Sequence, residues 1–195
     1  MTVIGDSLAE NLAAGLTDAF EDNPEVQVSR RTRASSGLVR DDFYDWRKSA
    51  REIAAGPDRI TSVVVMLGSN DRQPLKDAAG AVLDPFTDAW RTAYAERVGE
   101  VVAAFREKQI PVVWVGMPVM ENARFAADML ALNEISRNAA EKAGASYVDM
   151  WEPFVDAQNK YAATGPDVNG DMARLRASDG LHFTKAGARK AAHFV

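Results

Sequence analysis

Hydrophobic residues follow two alternating patterns along this chain. Leucine or phenylalanine recurs at every fourth position from Leu8 to Phe20, which predicts one apolar face of a helix. The segment from Ile60 to Leu67 is an almost unbroken apolar run rich in β-branched residues, as is typical of a strand buried on both faces of a parallel sheet. A second such run extends from Ile110 to Val115. The pattern therefore predicts strands that alternate with helices.

Weaker patterns complete this alternation. We predict three further strands, at Val3–Ile4, Val26–Val28 and Ser146–Val148. We also predict four further helices, at residues 41–54, 90–108 and 125–143 and after Thr184, which caps the last of them. Residues 68–88 are expected to form a long functional loop, and residues 151–178 a partly ordered hairpin or excursion. Such alternation predicts one α/β domain over residues 1–195, with about five parallel strands between two helical layers.

Ligands bind sheets of this type at the carboxyl ends of the strands. The loops that follow the predicted strands start at Gly5, Ser29, Gly68, Gly116 and Asp149. Side chains that carry chemistry are therefore expected in these five loops.

Composition excludes several classes of function. The chain has 195 residues, 47% of them hydrophobic, and a net charge of -5, with no basic stripe of the kind that binds nucleic acid. No apolar stretch approaches the roughly 20 residues of a membrane-spanning helix. The absence of cysteine excludes disulfides, zinc–thiolate sites and cysteine nucleophiles. There is also no His-Glu-x-x-His pair for zinc, and we predict no metal and no organic cofactor.

Ser7 lies in Gly5-Asp6-Ser7-Leu8, where the first predicted strand turns into the first helix. The simplest interpretation is that Asp6 or Ser7 caps this helix. The alternative is that Ser7 is a nucleophile, presented to a cleft beside backbone N–H groups that can stabilise developing negative charge. This short motif does not decide between the two.

A nucleophilic serine needs a base, and the chain has two histidines. His193 falls within the apolar pattern of the last helix, so we expect it to be partly packed. His182 lies three residues after Asp179, in a loop that Gly180 can bend. Asp179 could then reach one ring nitrogen and leave the other free, as in a serine–histidine–acid triad. The alternative is an Asp-Gly turn followed by a surface histidine.

Two other loops could supply hydrogen-bond donors to an oxyanion. Asn70 follows the central strand in Gly68-Ser69-Asn70-Asp71, and its side-chain N–H is suited to this role. Gly37 lies in the second loop, where its backbone N–H could approach a substrate without obstruction by a side chain. Either residue could instead be ordinary loop sequence.

As an ordered set, these residues resemble the SGNH (GDSL-like) hydrolase superfamily. That superfamily has Gly-Asp-Ser in its first motif block, a glycine in the second, Gly-x-Asn in the third and Asp-x-x-His in the last. The matching residues span nearly the whole chain in the same order: Gly5-Asp6-Ser7, Gly37, Gly68-Ser69-Asn70 and Asp179-Gly180-Leu181-His182.

The resemblance implies a flavodoxin-like three-layer α/β/α fold and a cofactor-independent serine esterase. It implies Ser7 as nucleophile, His182 as base and Asp179 as the group that orients the base. It further implies an oxyanion hole formed by the Ser7 and Gly37 backbone N–H groups and the Asn70 side chain. The implied substrates are small acyl esters of the acetyl type.

The segments 37–42 and 44–46 and the turn-rich stretch before Asp179 resemble an exported bacterial branch of the superfamily, linked to acyl groups on cell-surface glycans. This implies a periplasmic or cell-envelope protein that acts on an acylated glycan. We expect both ends to be trimmed from a longer protein, because a strand begins directly after Met1 and an apolar helical pattern still runs at Val195. The oligomeric state is left open.

Two other functions stay open. The same triad could transfer an acyl group to a sugar hydroxyl, or the fold could be a non-catalytic glycan-binding domain. An α/β-hydrolase is disfavoured, because the chain has no Gly-x-Ser-x-Gly motif. Arg40, Arg72 and Met117-Pro118 could line the pocket, although ordinary loop roles are favoured for Arg72 and Met117. Four scattered acids are interpreted as solvated surface: Asp84, Asp88, Glu121 and Asp128.

Overall fold

The computed structural model describes residues 1–195. Its helices and strands alternate as the hydrophobic pattern predicts, with two small additional hairpins. In chain order the elements are β1 (Thr2–Gly5), α1 (Ser7–Ala19), β2 (Ser29–Thr32), α2 (Trp46–Ala55), β3 (Val63–Met66), β4 (Leu75–Lys76), β5 (Val82–Leu83), α3 (Asp88–Arg106), β6 (Val112–Val115), α4 (Ala123–Lys142), β7 (Ser146–Val148), β8 (Thr164–Pro166), β9 (Met172–Arg174) and α5 (Lys185–His193). A short 3₁₀ helix spans Glu152–Phe154.

Five strands form one parallel sheet in the order β2-β1-β3-β6-β7. Helix α1 packs on α5, whereas α3 packs on both α2 and α4, so that helices cover the sheet on both sides. This confirms the predicted three-layer α/β/α fold. None of the five α-helices combines the length and the apolar character that a membrane crossing requires.

The core lies on both faces of the central strands. All four residues of β3 are buried, which explains the unbroken apolar run there. Three tryptophans, each at most 1% exposed, fill the space between sheet and helices: Trp46, Trp90 and Trp114.

The contact between α1 and α5 is unusually close. A Cβ added to Gly15 of α1 would lie 2.0 Å from the carbonyl oxygen of Ala188 in α5, so only glycine fits at this position. Helix α1 begins at Ser7, and α5 follows shortly after His182. The close packing therefore fixes these two distant parts of the chain relative to each other.

The prediction of a strand at Val26–Val28 is wrong. The second strand is Ser29–Thr32, which pairs in parallel with β1 from Thr2↔Ser29 to Gly5↔Thr32, so the following loop starts at Arg33 and not at Ser29. This strand lies at the sheet edge, and Arg30 and Arg31 are exposed. An edge strand does not need the apolar pattern by which a buried strand is recognised.

Smaller differences concern loops and the last helix. Helix α2 begins at Trp46 and not near residue 41, because the Asp45 side chain caps it by accepting from the Lys48 N–H. The long loop after β3 contains the β4–β5 hairpin, and the segment before Asp179 contains the β8–β9 hairpin. His193 is exposed, which contradicts the expectation of partial packing; it lies on the outer face of α5, opposite the buried alanines.

We predict that Gly15→Ala lowers the free energy of unfolding by about 1–3 kcal/mol, because the overpacking cost outweighs the better helix propensity of alanine. The matched control is Gly99→Ala in α3, where an added Cβ meets no atom within 4 Å. This control should gain up to about 1 kcal/mol. Urea denaturation measures both, and equal stabilisation by the two substitutions would contradict the close helix contact.

Candidate active site

Ser7 is placed by a strand that ends abruptly. Gly5 has φ 142°, and an added Cβ would lie 1.9 Å from the Met66 carbonyl oxygen, so β1 can turn this sharply only with glycine. Asp6 then caps α1, its Oδ1 accepting from the Leu8 N–H at 2.9 Å. Ser7 is therefore the first residue of the helix and not its cap, and its hydroxyl is left free for other contacts.

Asp6 also joins the first loop to the third. Its second oxygen, Oδ2, accepts from the Ser69 hydroxyl at 2.6 Å and from the Ser69 N–H at 3.2 Å. The side chain is fully buried, and this burial raises the pKa of Asp6, although the hydrogen bonds oppose the shift. The cap residue thus has a long-range contact as well as a local one.

The structure brings together Ser7, His182 and Asp179. His182 Nε2 lies 2.8 Å from Ser7 Oγ, and His182 Nδ1 lies 2.7 Å from Asp179 Oδ2. The other carboxylate oxygen of Asp179 accepts from the N–H groups of Leu181 and His182 at 2.9 and 3.0 Å. The hydrogen bond to His182 is the main reason that the pKa of Asp179 is lowered to about 2. The His182 side chain is 31% exposed, so the assembly is open to solvent on one side.

The loop that carries His182 is anchored to α1. The N–H of Phe183 donates to Asn11 Oδ1 at 3.1 Å, one helical turn after Ser7. This contact aligns the two segments locally, in addition to the packing of α1 on α5. Asn11 has no role in the sequence motifs, and only the structure identifies its contribution.

Three potential hydrogen-bond donors lie at the start of α1 and on the second and third loops. The backbone N–H groups of Ser7 and Gly37 have no partner within the protein. Asn70 Nδ2 lies 2.9 Å from the Ser36 carbonyl oxygen and 3.2 Å from Ser69 Oγ. An amide nitrogen has two hydrogens, and the longer of these contacts is the weaker one, which a substrate oxygen can replace.

Asp71 determines the conformation of the loop around Gly37. Its fully buried carboxylate accepts from the N–H groups of Leu38 and Val39, at 3.0 and 3.1 Å, and from the Tyr94 hydroxyl at 2.9 Å. A Cβ on Gly37 would lie 2.0 Å from Asp71 Oδ1, so the loop tolerates only glycine there. Burial raises the pKa of Asp71 to about 6 against the effect of these hydrogen bonds. Asp71 directly follows Asn70, but it belongs to none of the sequence motifs that predict the site.

The other predicted pocket residues have separate contacts. Arg40 pairs with Asp42 at the edge of a cavity of about 430 Å³ beside the second loop. Arg72 pairs with Asp128 at 2.8 Å, so Asp128 is not the freely solvated acid that was expected. Met117 and Pro118 are buried, whereas Asp84, Asp88 and Glu121 are exposed as expected. No group of three or more His, Asp or Glu side chains is placed to hold a metal ion.

The sequence matches, over residues 1–195, a family described as "Protein of unknown function (DUF459)". No curated protein matches the sequence significantly.

Three solved structures illustrate the likeness in fold. A GDSL-like lipase from Bacteroides thetaiotaomicron is 16% identical with a TM-score of 0.63, and the match covers 99% of this chain and 83% of that one. The acetylxylan esterase Axe2 from Geobacillus stearothermophilus is 18% identical with a TM-score of 0.66, over 98% of this chain and 90% of that one. The hydrolase LAE5 from the metagenome of Lake Arreo is 20% identical with a TM-score of 0.65, again over 98% and 90%.

The likeness to these structures covers nearly the whole chain, and it confirms, at the level of the fold, the resemblance that the motif blocks predict. The match to the family covers every residue. The chain therefore belongs to the DUF459 family and has the fold of the SGNH (GDSL-like) superfamily.

Proposed function

We propose that this protein is a serine esterase that hydrolyses small acyl esters. The observation that carries the proposal is the continuous hydrogen-bonded chain from Ser7 Oγ through the His182 ring to the Asp179 carboxylate. A surface histidine beside a turn has no need of this alignment, which joins two segments 175 positions apart.

The proposed reaction begins with attack of Ser7 Oγ on the ester carbonyl carbon, while His182 Nε2 takes the hydroxyl proton. The new C–O bond gives a tetrahedral intermediate. His182 then gives its proton to the leaving alcohol as the ester bond breaks, and an acyl-enzyme is left. Water, deprotonated by His182, attacks this acyl group and gives a second tetrahedral intermediate. As the bond between the acyl carbon and Ser7 Oγ breaks, His182 returns the proton to Oγ, so that the acid and free Ser7 are released. Asp179 keeps the proton on Nδ1 and stabilises the imidazolium that forms in each half-reaction.

The negative charge of the tetrahedral intermediate needs donors that are already in place. In the proposal, the N–H groups of Ser7 and Gly37 and the Asn70 side chain supply them. The two backbone groups have no protein partner to give up, and the Ser7 N–H also lies at the positive end of α1. A single such donor contributes on the order of 3 kcal/mol to transition-state stabilisation.

Asp71 supports this oxyanion hole indirectly. Its carboxylate accepts hydrogen bonds from the N–H groups of Leu38 and Val39, the two residues that follow Gly37, and thereby fixes their peptide planes. The Gly37 N–H is then the one group in this stretch that remains available to a substrate. We therefore assign Asp71 a positioning role. This role needs a side chain in which both terminal oxygens can accept hydrogen bonds.

The substrate class is proposed from the fold neighbours. Axe2 is named an acetylxylan esterase, and other structures of similar fold are named lipases or acylhydrolases. The likeness supports ester hydrolysis in general, and we propose acetyl-type esters in particular. A series of p-nitrophenyl esters of increasing acyl length tests this, and a preference for long chains would contradict it.

Ser7→Ala should reduce kcat by at least about 10⁴-fold, because the nucleophile is lost while the fold is unaffected. Initial rates on p-nitrophenyl acetate measure the effect, and a serine-directed phosphonate should label the wild type but not the variant. Ser49→Ala, on α2, is the matched control and should retain activity and labelling. Activity that persists in Ser7→Ala would exclude the mechanism.

Asn70→Ala should lower kcat about 10²- to 10³-fold and leave KM nearly unchanged, because the lost hydrogen bond acts mainly in the transition state. Asn138→Ala, at an exposed position of α4, is the control. An Asn70→Ala variant whose KM rises while kcat stays constant would instead place Asn70 in ground-state substrate binding.

Asp71→Asn tests the buried carboxyl through the pH dependence of stability. Burial raises the pKa of Asp71 from 3.8 to about 6, so the folded protein binds this proton more tightly than the unfolded chain does. Asp71 therefore adds stability as the pH falls below about 6, and this contribution is lost as the pH rises through that value. Between pH 8 and pH 4.5, the free energy of unfolding of the wild type should rise by about 2 kcal/mol relative to that of the variant.

Urea denaturation of both proteins at several pH values measures this difference. Asp22→Asn, at an exposed position, controls for the substitution itself. A difference in stability that is independent of pH would show that Asp71 does not take up a proton on folding in this range.

A further inference from the structure

Arg176 is a fully buried arginine without an acidic partner. Its exposure is 0%, and no carboxylate lies within ion-pair distance of it, although Asp179 acts on it electrostatically from further away. Instead, Nη1 donates to the carbonyl oxygen of Val119 at 2.6 Å and Nη2 donates to that of Leu181 at 2.8 Å. The guanidinium group thus bridges two main-chain segments.

Burial of this cation is costly. Desolvation lowers the pKa of Arg176 to about 10, and its Nε atom has no hydrogen-bond partner. The guanidinium carbon is surrounded by aromatic rings, at 5.1 Å from the centroid of Tyr161, 5.3 Å from Phe183 and 5.9 Å from Phe154. An apolar residue would fill such an enclosure at lower cost, so stability alone does not account for arginine here.

The segment that Arg176 holds is the one that carries the acid and the base. Leu181, whose carbonyl accepts from Nη2, directly precedes His182. Arg176 and Phe183 form an isolated antiparallel bridge, and the Ala177 N–H donates to the His182 carbonyl at 2.8 Å. Residues 177–182 therefore form a loop that is closed at its base, and the Arg176 side chain binds this loop at the Leu181 carbonyl.

The other end of the bridge is tied to the sheet. Val119 lies on the loop that follows β6, which is an internal strand of the sheet between β3 and β7. Two residues further on, the Glu121 N–H donates to the Gly180 carbonyl at 3.2 Å, which is a second link between the same two loops. Arg176 therefore links the loop that contains Asp179 and His182 to the loop that follows β6, and so to the sheet.

We propose that Arg176 is a positioning residue for the acid–base loop. By binding the Leu181 and Val119 carbonyls together, it keeps the His182 ring in the plane that places Nδ1 on Asp179 and Nε2 on Ser7. The kinetic part of this inference rests on the proposed esterase function, whereas the geometric part does not. A displacement of about 1 Å at a reacting group can cost roughly 10²-fold in rate, so the bridge has a measurable consequence.

The test compares two variants of the intact chain. Arg176→Met keeps the length of the side chain but cannot donate, and Arg176→Lys keeps the charge but offers a single nitrogen, which cannot match the fork of the guanidinium group. Arg124→Met, at an exposed position of α4, is the control. We expect kcat to fall about 10- to 100-fold in Arg176→Met with KM within about twofold, and to fall less in Arg176→Lys.

A second readout does not depend on turnover. The chain has only two histidines, so ¹⁵N spectra of the imidazole rings are simple, and His193→Gln assigns them. In the wild type, the ring nitrogens of the neutral His182 side chain should report a single tautomer with the proton on Nδ1. In Arg176→Met they should report a mixture of tautomers, while the ring nitrogens of His193 stay unchanged.

Each outcome decides between positioning and mere support of the fold. A folded Arg176→Met with an unchanged His182 tautomer and unchanged kcat would overturn the proposal. Failure of both Arg176 variants to fold would also overturn it, because the residue would then serve stability. If the wild type proves to have no Ser7-dependent esterase activity, the proposed function fails, but the tautomer measurement still tests the placement of His182.

Discussion

Three buried charged side chains, which are stabilised mainly by hydrogen bonds to main-chain groups and not by ion pairs, hold the site together. The carboxylate of Asp6 joins the first loop to the third, and that of Asp71 joins the third to the second. The guanidinium group of Arg176 joins the loop after β6 to the last loop. Since each of these charges would be costly without its hydrogen bonds, each of them specifies a particular arrangement of the loops that it joins.

This arrangement differs from the surface of the molecule, where Arg and Asp or Glu side chains form conventional ion pairs. Exposed ion pairs contribute little stability and tolerate several geometries, because both partners are long and flexible. A buried charge bound to backbone N–H or carbonyl groups is rigid, since the backbone cannot turn away without leaving the charge unsatisfied. Rigidity at the carboxyl ends of the strands is what a site with donors placed in advance requires.

The central strands and the four motif blocks could be predicted from the sequence, because both leave local signals. Strand β3 is buried on both faces and is therefore uniformly apolar, and Ser7, Asp179 and His182 occur in short motifs with fixed spacing. Strand β2 could not be predicted in its true position, because an edge strand with exposed arginines has no apolar pattern.

The roles of Asp71 and Arg176 cannot be recognised from the sequence for another reason. Their roles depend on partners 33 and 57 positions away in the chain, and no local pattern marks such contacts. Asp71 adjoins a motif residue and so carried a weak signal, whereas nothing around Arg176 distinguishes it from a surface arginine in the same stretch. Both residues differ from surface residues of the same type because they are buried. Whether a loop residue is buried depends on the whole fold and not on the neighbouring sequence.

The close packing of α1 against α5 has a consequence for the synthesis of the protein. Ser7 leaves the ribosome well before His182, which follows 175 positions later. A chain that has not yet reached His182 cannot form this contact, and α5 must dock on α1 before Nε2 meets the Ser7 hydroxyl. The hydrogen bond between Ser7 and His182 can therefore form only after the residues of α5 have been synthesised and this helix has docked on α1.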